Sequence, residues 1–223
     1  PHATGAAELH QPLPGSQILL TTPLRQAGYF TMAAGKWHLG NAVKPQFDTV
    51  REGGGDGAYG FWLPVLRERD KSRPFFAWLA TTDPHRDYAP GTIDPPHRES
   101  DVVVPPYLPD VPETRRDLAM YYDEIGRLDQ WVGKVREELE EQGVWDDTLV
   151  IFMSDNGRPF PRCKTTVFDS GVRTPLIVRL PGNRHAGTVC KALVSSIDLA
   201  PTLTTLAGLD VPTSFQGVSM VPL

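Results

Sequence analysis

Apolar and polar positions fall in blocks along the chain, and the period changes from block to block. Residues 113 to 142 carry the strongest helical pattern. Leu118, Tyr121, Ile125, Leu128, Val132, Val135 and Leu139 recur at steps of three and four, which puts one apolar stripe on one face of a helix. Glu137, Glu138, Glu140 and Glu141 fall on the solvent side of that helix, and Gly143 stops it. Short apolar runs bounded by turn residues read as buried strands: YFTMAAG, Phe75 to Thr81 within RPFFAWLATTDPH, Leu149 to Met153 within DDTLVIFMSDNG, TPLIVRLPG and TVCKALVSS. SQILLTTPLRQA (16–27) reads as a short helix kinked at Pro23 and stopped by Gly28. DLAPTLTTLAGL reads as a second, with Asp198 at the N-cap and Pro201 in the first turn. Residues 41 to 73 read as irregular, with EGGGDG as a flexible tip, and the Pro-rich stretch 86 to 112 as a long surface connection.

The order β, β, α, β, β, β, α predicts an α/β sandwich with a largely parallel central sheet flanked by helices. No internal repeat or linker divides the sequence, so residues 1–223 are expected to form a single domain with a real core. The 22 prolines agree with long connections between elements. A net charge of −5 argues against bulk nucleic-acid binding, which needs a basic surface, and leaves room for a local basic pocket. No apolar run approaches the roughly 20 residues that span a bilayer. The opening PHATGAAELHQPLPG has neither the basic start nor the apolar core of a signal peptide, and it lacks a Met, so a fragment is expected. Composition sets neither compartment nor oligomeric state.

Chemistry-bearing residues follow the predicted strands. Lys36 and His38 lie in GKWHLG, Asp83 and His85 in TTDPHRDY, Asp155 and Asn156 in SDNG, and Lys164 a few residues on. Sites in such sheets form in loops beyond the carboxyl ends of strands, which gives these four clusters a common placement. Asp155 and Asn156 offer a carboxylate and an amide oxygen side by side, hard ligands for Ca²⁺ or Mg²⁺; the competing reading of DNG is an ordinary Asx turn. Lys36 and His38 suit an anion, Lys as a point charge and His as a donor or general acid. The competing reading is a solvated lysine and a structural histidine packed beside Trp37. His85 and Lys164 carry the same two readings, and Asp169 with Arg173 reads as an ion pair of little energetic weight. Cys163 has cationic neighbours, Arg162 and Lys164, but no pattern of a thiol enzyme, and reads as structural. Neither it nor Cys190 has CxxC spacing, so no zinc site or disulfide framework is expected. His2, His10, His97 and His185 sit in loops without an evident partner.

Taken together, GYFTMAAGKWHLG, PFFAWLATTDPH, YYDEIGRLDQWVGKVREELEEQGVWDDTLVIFMSDNG, KTTVFDSGVRTPLIVRLPG and DLAPTL resemble the sulfatase family of the alkaline-phosphatase superfamily, in that family's order and over nearly the whole chain. FMSDNGRPFPRCKTTVFDSGVRTP, KPQFD and VPPYLPDVPETRRDLAMYYDEIGRLDQ are similar to its heparan N-sulfatase (sulfamidase) branch. The resemblance implies an alkaline-phosphatase-like fold and hydrolysis of a sulfate ester or N-sulfo group, with a glycosaminoglycan sugar among the substrates it brings into view. It implies Asp155 and Asn156 as ligands of a divalent cation, usually Ca²⁺ with Mg²⁺ as the alternative. It implies Lys36 and Lys164 as a clamp on the sulfate oxygens, His38 as partner of the nucleophile, and His85 as the group that contacts the sulfate and the leaving-group atom. Family members are often periplasmic, secreted or lysosomal.

Three features depart from the family pattern. Its nucleophile is a formylglycine made from the Cys or Ser of a C/S-x-P-x-R motif, and neither Cys163, Cys190 nor any serine here has that context. The acidic pair that completes the family's metal site is also missing, and the usual smaller C-terminal subdomain does not follow FQGVSMVPL. The expectation is a partial sulfatase catalytic domain, truncated at both ends and inactive alone. Two other readings stand beside it: a non-catalytic module that binds sulfated glycans, and a phosphoesterase or phosphonate hydrolase of the same superfamily.

Overall fold

The structure is a computed structural model that describes residues 4–6, 8 and 10–223. In chain order its helices and strands are α1 (Thr21–Gln26), β1 (Phe30–Gly35), β2 (Thr49–Glu52), α2 (Trp62–Glu68), β3 (Phe75–Ala80), α3 (Pro112–Glu141), β4 (Val150–Met153), α4 (Asp169–Val172), β5 (Leu176–Arg179) and α5 (Leu199–Leu206). The chain divides into two compact units, residues 1–80 with 189–223, and residues 81–188.

The first unit is built on a parallel sheet of order β2-β1-β3, the α/β arrangement that the apolar runs predict. β1 lies between its neighbours, with Ala33 opposite both Val50 and Trp78. A central strand covered on both faces needs a continuous apolar run, and Thr31 to Gly35 are all buried. Thr31 is the polar exception. Its N–H and hydroxyl donate to Asp48 Oδ2 at 2.8 and 3.0 Å, so its burial leaves no group unpaired. α2 and β2 lie within the stretch that the pattern leaves irregular. α2 has only seven residues, with Pro64 in the first turn where a missing N–H costs nothing. It packs on β1 through Trp62, Val65 and Leu66, each at most 4% exposed. Burying each such side chain contributes on the order of 1.5–3 kcal/mol.

The C-terminal part of this unit corrects one expectation and refines another. TVCKALVSS is not a strand: residues 188–195 have no regular structure, and Val189 and Leu193 are fully open to solvent. Strand propensity without a face to bury is insufficient. Asp198 is the N-cap residue of α5, as the pattern predicts, but its side chain makes no capping bond to that helix. A short 3₁₀ turn, Ser196–Asp198, precedes α5. Ser195 caps this turn in a reciprocal capping box, and Asp198 Oδ2 accepts the Ser195 N–H at 2.8 Å.

The second unit centres on the 30-residue α3. Leu118 and Leu139 are buried as the stripe predicts, and Leu118 and Ala119 form a core with Val102, Phe160 and Cys163, bordered by Tyr88, Tyr107, Tyr121 and Tyr122. Ile125, by contrast, is 38% exposed, and Glu138, placed on the solvent side by the pattern, is 6% exposed and accepts a hydrogen bond from Gln142 Nε2 at 2.8 Å. Asp123 and Glu124 are buried too. The helix thus covers more than one face, which a single stripe cannot show. β4 and β5 pair antiparallel, Val150 opposite Arg179 and Met153 opposite Leu176, as a two-stranded sheet rather than as further parallel strands.

Candidate active-site loops

Lys36 and His38 lie in the first unit, directly after the central strand. Gly35 makes that exit feasible. Its φ is +98°, and a Cβ there would overlap the carbonyl oxygens of Ala80 and Ala58. The chain can therefore stay against β3, and Lys36 N–H donates to Ala80 O at 3.0 Å. The loop beyond is pinned. Trp37 Nε1 donates to Gly40 O at 2.9 Å, its ring meets Phe47 edge-on at 5.5 Å, and Leu13 N–H donates to Leu39 O at 3.0 Å. Lys36 is half-buried and His38 exposed, its ring edge-on to His10 at 5.4 Å. His38 lines a cleft of about 590 Å³ with His10, Pro12, Trp37 and Glu52.

His85, Asp155, Asn156 and Lys164 lie in the second unit. The SDNG turn after β4 is fixed at both ends: Ser154 N–H donates to Pro175 O at 3.3 Å, and Gly157 N–H to Gly171 O at 2.9 Å. Gly157 has no room for a side chain, because a Cβ would overlap Ser170 O. Within the turn, Ser154 Oγ donates to Asn156 O, and Asn156 Nδ2 to Gly157 O, both at 2.8 Å. That leaves the Asn156 Oδ1 and the exposed Asp155 carboxylate as two adjacent hard oxygen donors. The chain then folds back, Lys164 N–H donating to Arg158 O at 3.1 Å. Lys164 is half-buried. Cys163 beside it is fully buried, 3.2 Å from the Tyr107 hydroxyl, a packed thiol as its sequence context implies.

His85 sits on an exposed turn, its N–H donating to Thr82 O at 2.8 Å. Its Nδ1 lies 2.6 Å from Arg86 O. A carbonyl only accepts, so Nδ1 carries the proton and Nε2 is the nitrogen left for a ligand. The residues on either side anchor the turn to α3. Asp83, 8% exposed, accepts two hydrogen bonds from Arg127, from Nε at 2.6 Å and Nη2 at 2.8 Å. Arg86 makes a second two-pronged pair, Nη1 to Asp117 Oδ1 at 2.9 Å and Nη2 to Oδ2 at 2.5 Å. Glu124, one turn before Arg127, is 5% exposed; its Oε1 is 3.9 Å from Arg127 Nη2, and its Oε2 is buried without a partner. Burial, with the nearby Asp83 charge, pushes the Glu124 carboxyl up to about 7 against the opposing pull of Arg127.

Asp83, Arg86, Glu124 and Arg127 escaped the sequence reading as a set, because each partner is remote in the chain. His97, which had no evident partner, is held by Asp123: its Nδ1 lies 2.8 Å from Oδ1, which also accepts the His97 N–H at 2.7 Å. Asp169 and Arg173 do pair, at 4.0 Å with both ends exposed, so the pair contributes little. His2 lies outside the described residues. Among the described residues, no three His, Cys, Asp or Glu side chains gather into a metal-binding group, and no helix is long and apolar enough to cross a membrane. Asp155 and Asn156 fit a hard divalent cation in kind, as part of a cage.

In each unit candidate side chains sit on loops that follow strands, Lys36 and His38 after β1 in the first and Asp155 and Asn156 after β4 in the second. The family model described as Sulfatase matches residues 58–209, and the chain belongs to the sulfatase family, a hydrolytic family. The human N-sulphoglucosamine sulphohydrolase is 36% identical over 216 residues, covering 81% of this chain and 42% of the relative. The chain thus spans less than half the length of that relative. A structure solved in complex with its substrate D-glucosamine-2-N,6-O-disulfate matches 99% of this chain and 67% of its own, at 20% identity and TM-score 0.71. The phosphonate monoester hydrolase of Agrobacterium radiobacter matches 96% of this chain and 62% of its own, at 21% identity and TM-score 0.75. These structural likenesses establish the alkaline-phosphatase-like fold.

Proposed function

We propose that the protein carrying this chain hydrolyses sulfate from a sulfated sugar, with the N-sulfo group of a glycosaminoglycan glucosamine as the first substrate to test. The reading is supported by sulfatase membership, by the 36% identity to a sulphohydrolase of N-sulphoglucosamine, and above all by one observation: His85, Asp155, Asn156 and Lys164 sit on loops of one unit that backbone and arginine hydrogen bonds stitch together. In this reading Asp155 and Asn156 would hold a divalent cation through their side-chain oxygens, and that cation and a formylglycine from elsewhere in the protein would supply charge stabilisation and the nucleophile when present. Lys36 and Lys164 bind the sulfate oxygens, over which negative charge spreads as the bond to the leaving group breaks. His85 acts as general acid from its doubly protonated ring, giving the Nε2 proton to the departing nitrogen or oxygen and returning to the Nδ1–H tautomer. His38 serves the nucleophile by taking and returning a proton.

Lys36→Ala and His85→Ala in the full-length protein test this. Sulfate release from N-sulfoglucosamine or 4-nitrocatechol sulfate is expected to fall at least about 100-fold in each, and normal turnover in both sinks the assignment. The 223 residues contain no C/S-x-P-x-R, so this chain by itself is expected to show negligible turnover. Robust activity from the purified chain overturns that part. Because phosphonate hydrolases share the fold, rates on sulfate and phosphonate monoesters of one leaving group separate the two chemistries.

A further inference from the structure

One side chain links the His85 turn to the loop that carries the cation ligands. The Arg86 carbonyl takes the His85 Nδ1 proton at 2.6 Å, so the place of that peptide fixes the tautomer and tilt of the ring. The Arg86 guanidinium in turn fixes the peptide. Its Nε donates to Pro159 O at 3.1 Å, three residues past Asn156, while Nη1 and Nη2 grip Asp117 on α3. Tyr88 and Phe160 flank the guanidinium, with ring centroids 4.8 and 4.9 Å from its central carbon. Phe160 belongs to the buried core of the unit. Three elements therefore meet at one planar cation: the His85 turn, the 155–164 loop and the helix.

We propose that Arg86 is a positioning residue, which holds His85 as the Nδ1–H tautomer and fastens its turn to the loop of Asp155, Asn156 and Lys164. The proposal rests on the reading above that His85 acts on the leaving group. Stability alone gives no sufficient reason for so many contacts. The Arg86 and Asp117 side chains are 38% and 31% exposed, and ion pairs of that exposure add little to folding. Geometry is the stronger reason, because a proton donor displaced by about 1 Å loses on the order of 100-fold in rate. A lysine keeps the charge but cannot bridge Pro159 O and both Asp117 oxygens at once, since it lacks the planar fork.

The test uses the full-length protein with ¹⁵N-labelled histidine, and the variants Arg86→Lys, Asp117→Asn and His85→Ala, the last to identify the His85 resonances. In Arg86→Lys, kcat for sulfate release is expected to fall about 10- to 100-fold with KM within about twofold, and the His85 ring to show mixed Nδ1–H and Nε2–H tautomers. Asp117→Asn is expected to move both readouts the same way by a smaller amount, and it decides the matter if Arg86→Lys does not fold. Unchanged tautomer signals in folded Arg86→Lys, or in Asp117→Asn where that variant decides, overturn the proposal, even if turnover drops. Wild-type turnover in His85→Ala overturns the underlying catalytic reading instead, and the tautomer signals of the other two variants then still decide whether Arg86 positions the ring.

Discussion

Glu124→Gln has a calculable effect. Glu124 is 5% exposed, its Oε2 is buried without a partner, and the like charge of Asp83 lies close enough to add to the cost of ionising it. Its carboxyl moves from an ordinary 4.5 to about 7, chiefly through burial. The folded protein therefore holds this proton more tightly than the unfolded chain does. Stability is fully present below pH 4.5 and declines as pH rises to about 7, because folding must then either bury a charge or retain a proton that the unfolded chain has lost. The difference of about 2.5 pH units, at 1.36 kcal/mol each, gives a ceiling of about 3 kcal/mol. Glutamine has the shape of the neutral acid and does not titrate. Chemical denaturation of the wild type and Glu124→Gln at pH 4, 6 and 8 isolates this group, since all others titrate alike in both. The variant is expected to match the wild type within about 1 kcal/mol at pH 4 and to exceed it by up to about 3 kcal/mol at pH 8. A difference that is flat across this range, or that favours the wild type as pH rises, refutes the reasoning.

Three further outcomes follow from the same geometry. Arg127→Met removes the two-pronged bond to the buried Asp83 carboxylate, and is expected to cost about 3–5 kcal/mol in denaturant melts at pH 7. Gly35→Ala drives a methyl group into the Ala80 and Ala58 carbonyls at a backbone conformation that alanine resists; a loss above about 3 kcal/mol, read by thermal denaturation, is expected, and a loss below about 1 kcal/mol contradicts the tight exit from β1. Asp155→Ala in the full-length protein is expected to weaken Ca²⁺ binding at least about tenfold by calorimetry, and unchanged affinity removes Asp155 from the cation site.

Parts of this were legible from the sequence because they depend on short-range regularities. β1 announces itself as an apolar run because a covered parallel strand must be apolar on both faces, and β3 reads the same way although it is an edge strand with Trp78 exposed. α3 announces itself through its stripe over about six turns, and Lys36, His38, His85, Asp155 and Asn156 by following strands. β2 and α2 were illegible for the converse reason. Four residues reading TVRE and seven with a proline among them give too short a sample of either period, and the sheet and core decide their form. TVCKALVSS failed in the opposite direction, since β-branched residues read as a strand where no sheet edge takes them up.

The deeper gap concerns what holds the chemistry in place. A ligand pair such as Asp155 and Asn156 is written in adjacent letters, but Asp83 and Arg127 are 44 residues apart, Arg86 and Asp117 31 apart, and Arg86 and Pro159 73 apart. Their pairing carries no local period. The sequence pattern even points the wrong way, because the same α3 that reads as one apolar stripe buries Asp123, Glu124 and Glu138 off that stripe. Those buried acids, with Asp117 and Arg127, are the features of α3 that an apolar pattern cannot rank, and two of these residues hold the segment that bears His85. A helix whose hydrophobic positions predict its existence thus has its positioning role written in the positions left over. Charged residues such as Asp117 and Arg127 on such a helix point to a loop that must be held, and their partners, Arg86 and Asp83, flank the exposed histidine rather than lying along the helix.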